Sequence, residues 1–465
     1  LIGQYDPLKT SVVDYEPVKI SSKEKVGEIF GWGSHIHRQA LAMPNAVFNS
    51  GGGVYAFPVP DAGGAVVADE TVTFTGTASS GGTLFFSIGG VPVSFVVKKD
   101  DTPTIIGDSL VDAIDAIRDI AVTAVNVTGV VTVTSKFKGT EGNKLLIKQN
   151  PNGDIEAEQA PGTVTVALEN TDGYLDGGTG APDIHDVFFT SGEEDKLGDR
   201  WYTQFTLPFN DTTNIGYVKD AGDLRAAPGT NRRFGAYTGY VNKTYDEAVA
   251  IPETINSEHI GDVWDPRCYH PDFELSAALV GRIAYEQNLA PNKPYKTTDV
   301  GLAADASVDN LTDYDELFRK GMSYCKIGND GVMRWGDIAL TYRETPTGGA
   351  TEEWFDAVSL HTRQAKAYSL EQYFLLSPYD RAVVVDNNAI TAVDYAIAPK
   401  DVIADLTKLI EELWAPFAWS KNVDEIIEGL TAEINSSFEG RIDAQIIDNE
   451  AKALRIIAIK YAFLY

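Results

Sequence analysis

Cysteine is nearly absent: only Cys268 and Cys325 occur in 465 residues. So few thiols exclude a disulfide scaffold and point to reduced, buried side chains in a cytosol-type compartment. Positive charge is also scarce, with 38 Lys and Arg against 67 Asp and Glu and a formal net charge of −29. No basic cluster of roughly five or more appears, which argues against direct nucleic-acid binding, where phosphates must be neutralised. Apolar runs stay below the roughly 18 residues that a membrane-spanning helix needs. A signal peptide is missing, and the chain opens on Leu1-Ile2-Gly3 without an initiator Met, as if entering a strand midway. Further residues are therefore expected upstream.

What is present is an ordinary globular composition, 43% hydrophobic and 23% charged. The length suits about two to four domains with large cores. Strong acidity favours solubility at high concentration and would complement a basic partner.

Catalytic signals are thin. His35-Ile36-His37 would set two imidazoles on one face of a strand, a metal-ligand spacing, yet no third ligand is marked nearby. A polar surface pair is the simpler expectation. Cys268-Tyr269-His270 offers only a weak nucleophile and base pairing. Asp100-Asp101, Glu193-Glu194-Asp195, Glu352-Glu353 and Glu411-Glu412 read as solvated faces rather than paired catalytic carboxylates. Gly139-Thr140-Glu141-Gly142-Asn143-Lys144 lacks the Walker spacing and the Ser or Thr after the Lys, and is expected to be a hairpin turn. Gly51-Gly52-Gly53 lacks the dinucleotide fingerprint. No catalytic residue, metal or cofactor is expected, and the chain does not read as an enzyme.

Periodicity divides the chain. Val54-Tyr55-Ala56-Phe57 reads as a strand, residues 38–43 as a helix, and the Gly- and Ala-rich stretch after Pro60 as a boundary. Residues 70–150 then form a compact pattern. Thr71-Val72-Thr73-Phe74-Thr75 alternates, and 84–88 with 91–97 make a hairpin around Gly89-Gly90. A helix carries Leu110, Val111, Ile114 and Ile117, with Asp108 or Ser109 able to cap its start, and strands follow at 130–134 and 145–148. This is expected to be an α+β module inserted into a larger domain. Beyond it, helices (274–286, 352–375) mix with hairpins, the clearest being 323–327 and 332–342 around Asn329-Asp330-Gly331. An amphipathic stripe of Val402, Ile403, Leu406, Leu409, Ile410, Leu413 and Trp414 ends at Pro416. A short helix with Val423, Ile426, Ile427 and Leu430 then leads to a polar strand, 438–449.

The last twelve residues, 454–465, are the most telling. Ile457, Ile459, Tyr461, Phe463 and Tyr465 recur with period two, and Leu454, Ile456, Ala458 and Leu464 make the other face apolar too. Chain ends are normally polar and frayed. A strand apolar on both faces must sit inside its own sheet or be lent to another subunit.

Taken in order, several blocks resemble the tail sheath proteins of contractile-tailed bacteriophages, in particular the Mu-like tail sheath family. Leu1-Ile2-Gly3-Gln4 is similar to the family's first core strand, and GEIFGWGSHIHRQALAM (27–43) to the segment where a Gly-x-Gly-Ser turn enters a helix. VYAFPVPDAGGAVVADETVTFTGTASSGGTLFFSIGGVPVSFVV (54–97) is the most specific match. TVTSKFKGTEGNKLLIK (132–148), GMSYCKIGNDGVMRWGDIALTYR (321–343) and the terminal ALRIIAIKYAFLY complete the set, while 186–310 match only loosely.

The resemblance implies an α+β multidomain chain: a mixed α/β core domain near the C-terminus, an inserted β-rich α+β module and an extended C-terminal β-arm. Its expected parts are residues 1–66 (first part of the sheath core), 67–180 (inserted outer module, dispensable for assembly), 181–375 (middle α/β domain), 376–453 (C-terminal domain) and 454–465 (arm). The implied function is a structural subunit that polymerises helically around a tail tube and contracts to drive it through the host envelope. Partners would be further copies of itself, the tail tube protein, and the baseplate and tail terminator proteins. Neither nucleic acid nor membrane would be bound directly, and the protein would reside in the virion tail after assembly in the host cytoplasm. Leu454, Ile456, Ile457, Ile459, Tyr461, Phe463 and Tyr465 would form the inter-subunit arm. By position, Lys400, Asp401, Lys408, Glu411 and Glu412 are candidate tube-facing residues, unless that helix is a core helix with a solvated back. Two other readings compete: a receptor-binding or adhesin surface protein, suggested by the Thr/Val/Gly-rich strands of 70–150, and the sheath of a phage-derived bacteriocin or injection system. A hydrolase built on the acidic clusters would need a cleft that the sequence does not mark.

Overall fold

A computed structural model describes all residues except 50–51, 152–159, 228–229, 309–313, 352, 376–378, 390–392, 438–439 and 449–465. The chain is mixed α/β and divides into two compact units, residues 1–288 with 295–357, and residues 289–294 with 358–465.

The first unit opens with β1 (Ile2–Gln4), β2 (Val18–Ile20), α1 (Lys23–Phe30), α2 (His35–Ala42), α3 (Asn45–Phe48) and β3 (Val54–Val59). Strand β3 is central, parallel to β1 and antiparallel to β2. The pair His35 and His37 lies on α2, not on a strand. Ser34 caps that helix by accepting from the His37 N–H, so the Gly-x-Gly-Ser turn decides the conformation.

Next come β4 (Val67–Thr75), β5 (Gly82–Ile88), β6 (Val91–Val97), α4 (Pro103–Asp115), β7 (Val122–Val127), β8 (Val130–Lys138), β9 (Ile147–Gln149) and β10 (Thr165–Leu168). They build two antiparallel sheets, ordered β10-β4-β8-β7 and β6-β5-β9. Alternation decides what is buried: Val72, Phe74, Val131 and Val133 point inward with Leu84, Phe86, Val93 and Phe95, and α4 adds Ile106, Leu110 and Ile114. Helix α4 starts at Pro103 after the N-cap Thr102, nearly two turns earlier than a cap at Asp108 or Ser109 would allow. Residues 140–144 form a 3-10 turn that carries the chain from one sheet to the other, not a hairpin turn.

After α5 (His185–Phe188), the chain alternates: β11 (Gln204–Thr206), α6 (Thr212–Ala226), β12 (Gly235–Tyr240), α7 (Tyr245–Ile255), β13 (Ile260–Trp264), α8 (Asp272–Leu289), α9 (Tyr314–Arg319), β14 (Met322–Ile327) and β15 (Met333–Trp335). Strands β11 to β14 are parallel in sequence order, and β15 closes the edge antiparallel. Every residue of β12 and β13 is buried, as expected of a parallel sheet covered on both faces. Gly239 on β12 is required by packing, because a Cβ there would lie 2.2 Å from the Asp272 carbonyl oxygen at the start of α8. The second arm of the hairpin at Asn329-Asp330-Gly331 is only the three residues of β15.

The second unit holds most of α10 (Ala357–Phe374), then β16 (Val383–Val384), β17 (Ala396–Ile397), α11 (Pro399–Leu409), α12 (Val423–Glu428), β18 (Thr431–Ile434) and β19 (Ile442–Gln445). The amphipathic stripe is one core: Val402, Leu406, Leu409, Ile410 and Trp414 pack with Ile426 and Leu430. Helix α11 runs on into a π-turn over Ile410–Trp414, with the Ala415 N–H donating to the Ile410 carbonyl at 2.9 Å. Within the region read as a polar strand, 438–449, the described residues hold β19, paired with β18 from Thr431 with Gln445 through Ile434 with Ile442.

Candidate functional site

Neither the His35 and His37 pair nor Cys268 with His270 assembles into the site its spacing hinted at among the described residues. His35 and His37 are fully buried rather than a surface pair. His35 accepts from the Gln4 N–H through Nδ1 (3.2 Å) and stacks edge-on to Phe273 at 4.2 Å. Burial pushes its imidazole well below its ordinary pKa, and that of His37 down to about 4, so both are neutral. No group of three or more His, Cys, Asp or Glu could hold a metal among the described residues. Cys268 and Cys325 are buried thiols pushed up by desolvation. His270 turns its Nδ1 to Glu274 at 2.7 Å.

Two buried charge clusters stand out instead, both inside the first unit. Arg38 on α2 donates to both Glu274 oxygens (2.7 and 2.9 Å) and to the carbonyls of Gly89 (3.2 Å) and Asp119 (3.3 Å). Its fork thereby joins α2, the first turn of α8, the β5–β6 turn and the loop before β7. His270 completes the cluster, its Nδ1 meeting the same Glu274 Oε2 that accepts from Arg38 Nη2. Its ring fills the place of a side chain at Gly90 (φ +77°), where a Cβ would sit 2.3 Å away. Burial alone would raise the Glu274 carboxyl, but Arg38 and His270 together pull it below its ordinary pKa.

Lys144, at the end of the 3-10 turn, anchors the second cluster. It pairs with Glu141 at 3.0 Å and Asp272 at 3.6 Å, and donates to the Pro208 carbonyl and Asn210 Oδ1. One ammonium is shared between two buried acids. Lys144 is therefore held charged above its usual range, while burial outweighs its pull on Glu141 and pushes that carboxyl up to about 7. The lysine of the glycine-rich segment is wholly engaged inside the protein, which removes it from phosphate binding. These clusters were invisible in the sequence because Arg38 and Glu274 lie 236 positions apart.

In the second unit the candidate tube-facing residues divide. Lys400, Lys408, Glu411 and Glu412 are exposed along the outer side of α11 and its π-turn. Asp401 is half-buried and caps the helix, accepting from the Ala398 N–H at 2.8 Å. Farther on, Asp448 accepts from Ser420 Oγ at 2.8 Å and pairs with the buried Lys366. Leu454, Ile456, Ile457, Ile459, Tyr461, Phe463 and Tyr465 lie outside the described residues.

No family model matches the chain. A curated relative does: the Mu-like prophage FluMu tail sheath protein of Haemophilus influenzae is 23% identical over 459 residues, covering 97% of this chain and 89% of that protein. The chain is a homologue of a Mu-like tail sheath protein. Among solved structures, a sheath tail protein from Desulfitobacterium hafniense overlaps 94% of each chain at 10% identity and a TM-score of 0.46. One from Listeria innocua covers 97% of this chain and 94% of its own at 12% identity and a TM-score of 0.46.

Proposed function

We propose that this protein is the structural subunit of a contractile tail sheath, which polymerises helically around a tail tube and contracts to drive the tube through a host envelope for genome ejection. The observation that carries this reading is the likeness to the Haemophilus tail sheath protein along nearly the whole of both chains. Its role is mechanical rather than catalytic. Further copies, the tube protein, and the baseplate and terminator proteins are its partners, and the virion tail, assembled in the host cytoplasm, is its place. The architecture proposed is a middle α/β domain built on β11–β15, the inserted module of residues 67–180, a core domain near the C-terminus and a C-terminal arm.

The arm reading rests on sequence and magnitudes. Burying about five large apolar side chains yields on the order of 7–15 kcal/mol. Ordering about twelve residues costs on the order of 12–24 kcal/mol before backbone hydrogen bonds are counted. Such a segment gains order only by adding to a preformed sheet, as a strand lent to a neighbour does. Leu454, Ile456, Ile457, Ile459, Tyr461, Phe463 and Tyr465 supply its side chains. Asp448, clamped by Lys366 and Ser420, fixes the root from which it departs. Lys400, Lys408, Glu411 and Glu412 offer a charged strip for the tube, with Asp401 serving the helix itself.

Electron microscopy of the purified chain at high concentration tests the reading, with hollow striated tubes as the expected result. Deleting residues 454–465 is expected to leave a folded, soluble monomer. Tubes formed by the truncated protein would sink the arm assignment, and dispersed monomers from the full chain mixed with its tube would sink the sheath.

A further inference from the structure

The sheet β10-β4-β8-β7 has two open edges of an unusual kind. Among the described residues, no other strand pairs with β7 or with β10. Natural edge strands are normally guarded by charge, proline or a bulge. Here Val122-Thr123-Ala124-Val125-Asn126-Val127 and Thr165-Val166-Ala167-Leu168 carry neither a charge nor a proline. The β7–β8 ladder runs without a register shift from Val122–Ser135 to Val127–Val130, where a tight turn with positive φ at Thr128 and Gly129 closes it.

Beside the open edge, Val125 and Val127 are 64% and 65% exposed. Between the exposed Asp69 and Glu169, the solvent face is uncharged through Val130, Thr132, Thr71 and Thr73, which lie opposite one another in register. In a chain of net charge −29, most of the surface repels a second copy. The two edge strands themselves carry no such charge.

We propose that β7 of one copy pairs with β10 of the next, continuing the sheet from subunit to subunit. The polarity fits without rotation. Each of the three neighbouring pairs is antiparallel, so β7 and β10 run in opposite directions. A copy displaced along the sheet therefore brings its β10 antiparallel to β7. Such a join uses different surfaces on the two partners, does not close on itself, and suits an open-ended array. With only four residues in β10 the contact is weak for an isolated pair and gains from the array. It takes its biological sense from the polymer proposed above but stands on the sheet's own edges.

The test is cross-linking of the concentrated full-length chain carrying Val125→Cys and Ala167→Cys, using a short bis-maleimide. Both native cysteines are buried and stay unreactive. A ladder of dimers, trimers and higher species, seen only with both cysteines present, is the expected result. Dimers from Val125→Cys alone would replace the proposal with a twofold edge contact, and no cross-linked species at all would overturn it. Adding Val127→Lys to Ala167→Cys and Val125→Cys is expected to reduce the ladder at least tenfold while circular dichroism stays unchanged. An undiminished ladder would show that the edge is not the contact. Microscopy reads the sheath separately: tubes without the ladder remove this contact and keep the sheath, whereas a ladder without tubes does the reverse.

Discussion

The deepest ion pairs of the first unit are buried on both sides, whereas those among the described residues of the second leave at least one member part-exposed. In the first, Arg38 with Glu274, Arg267 with Asp265, and Lys144 with Glu141 and Asp272 are all buried or nearly so. In the second, Asp405 takes two tyrosine hydroxyls, from Tyr373 and Tyr379, in half-buried positions, and Asp448 meets Lys366 while 25% exposed. A buried pair costs desolvation to build, and removing one member strands a charge in low dielectric. A shallow pair can lose a partner to water at little cost. The first arrangement would suit the body of the sheath subunit proposed above, and the second the root of the proposed arm.

The largest test of that contrast is excision of residues 67–180. By resemblance alone this module would be dispensable. The structure argues otherwise, because Phe273 of α8 sits in the module's own core and Asp272 beside it is paired with Lys144. Cutting the module away exposes that aromatic, unpairs that acid, and strips Arg38 of the Gly89 and Asp119 carbonyls. The expected outcome is a protein that no longer folds to a soluble monomer. A soluble excision variant with a cooperative melt would break the comparison at its strongest point.

Arg38→Met isolates one cluster. It leaves Glu274 buried with His270 as its remaining side-chain partner, and a loss of about 3–5 kcal/mol is expected in urea unfolding. A loss under about 1 kcal/mol would place this pair with the shallow ones.

These clusters mark where sequence reading stops. The β5–β6 hairpin around Gly89-Gly90 and the amphipathic run of α11 were legible because both signals are local: a turn between alternating strands, and a stripe at helical period. His35 and His37 were misplaced because the spacing of two imidazoles says nothing of the Ser34 cap that turns the segment into a helix. The short strands β15 and β18 carry too few residues to establish a period. Arg38 and Glu274 meet only through tertiary folding, and a single sequence has no term for that. The solvent-facing side of α11 was legible as a stripe, but the use of Asp401 as a cap was not.

Asp262 sharpens the comparison from within the parallel sheet. It is fully buried on β13, and both its oxygens lack a hydrogen-bond partner among the described residues. Burial pushes its carboxyl well above the ordinary range. With the folded pKa above the unfolded one, the unfolded state ionises first as pH rises past about 4, so stability falls until the folded carboxyl itself ionises. Asp262→Asn removes that loss. It is expected to stabilise the protein at neutral pH by on the order of 1–3 kcal/mol and to flatten stability above about pH 4. Unchanged pH dependence in the variant, measured by thermal melts from about pH 4 upward, would mean that a buried partner already satisfies the acid.

The smallest effect is expected at Asp448→Asn. Asparagine keeps an oxygen for Ser420 Oγ and gives up only the charge facing Lys366, whose ammonium also lies 5.3 Å from the Trp414 ring centre. Asp448 is 25% exposed but the Lys366 ammonium is buried, so water replaces only part of what is lost, and unfolding stability should fall by about 1–2 kcal/mol. The same change should be felt more in assembly than in folding, since it loosens the chain just ahead of residues 454–465. Urea unfolding and tube yield measured on one preparation separate the two readouts. A loss of about 3 kcal/mol or more in folding would mean that the second unit is fastened as deeply as the first, and the contrast between buried and part-exposed fastening would fall.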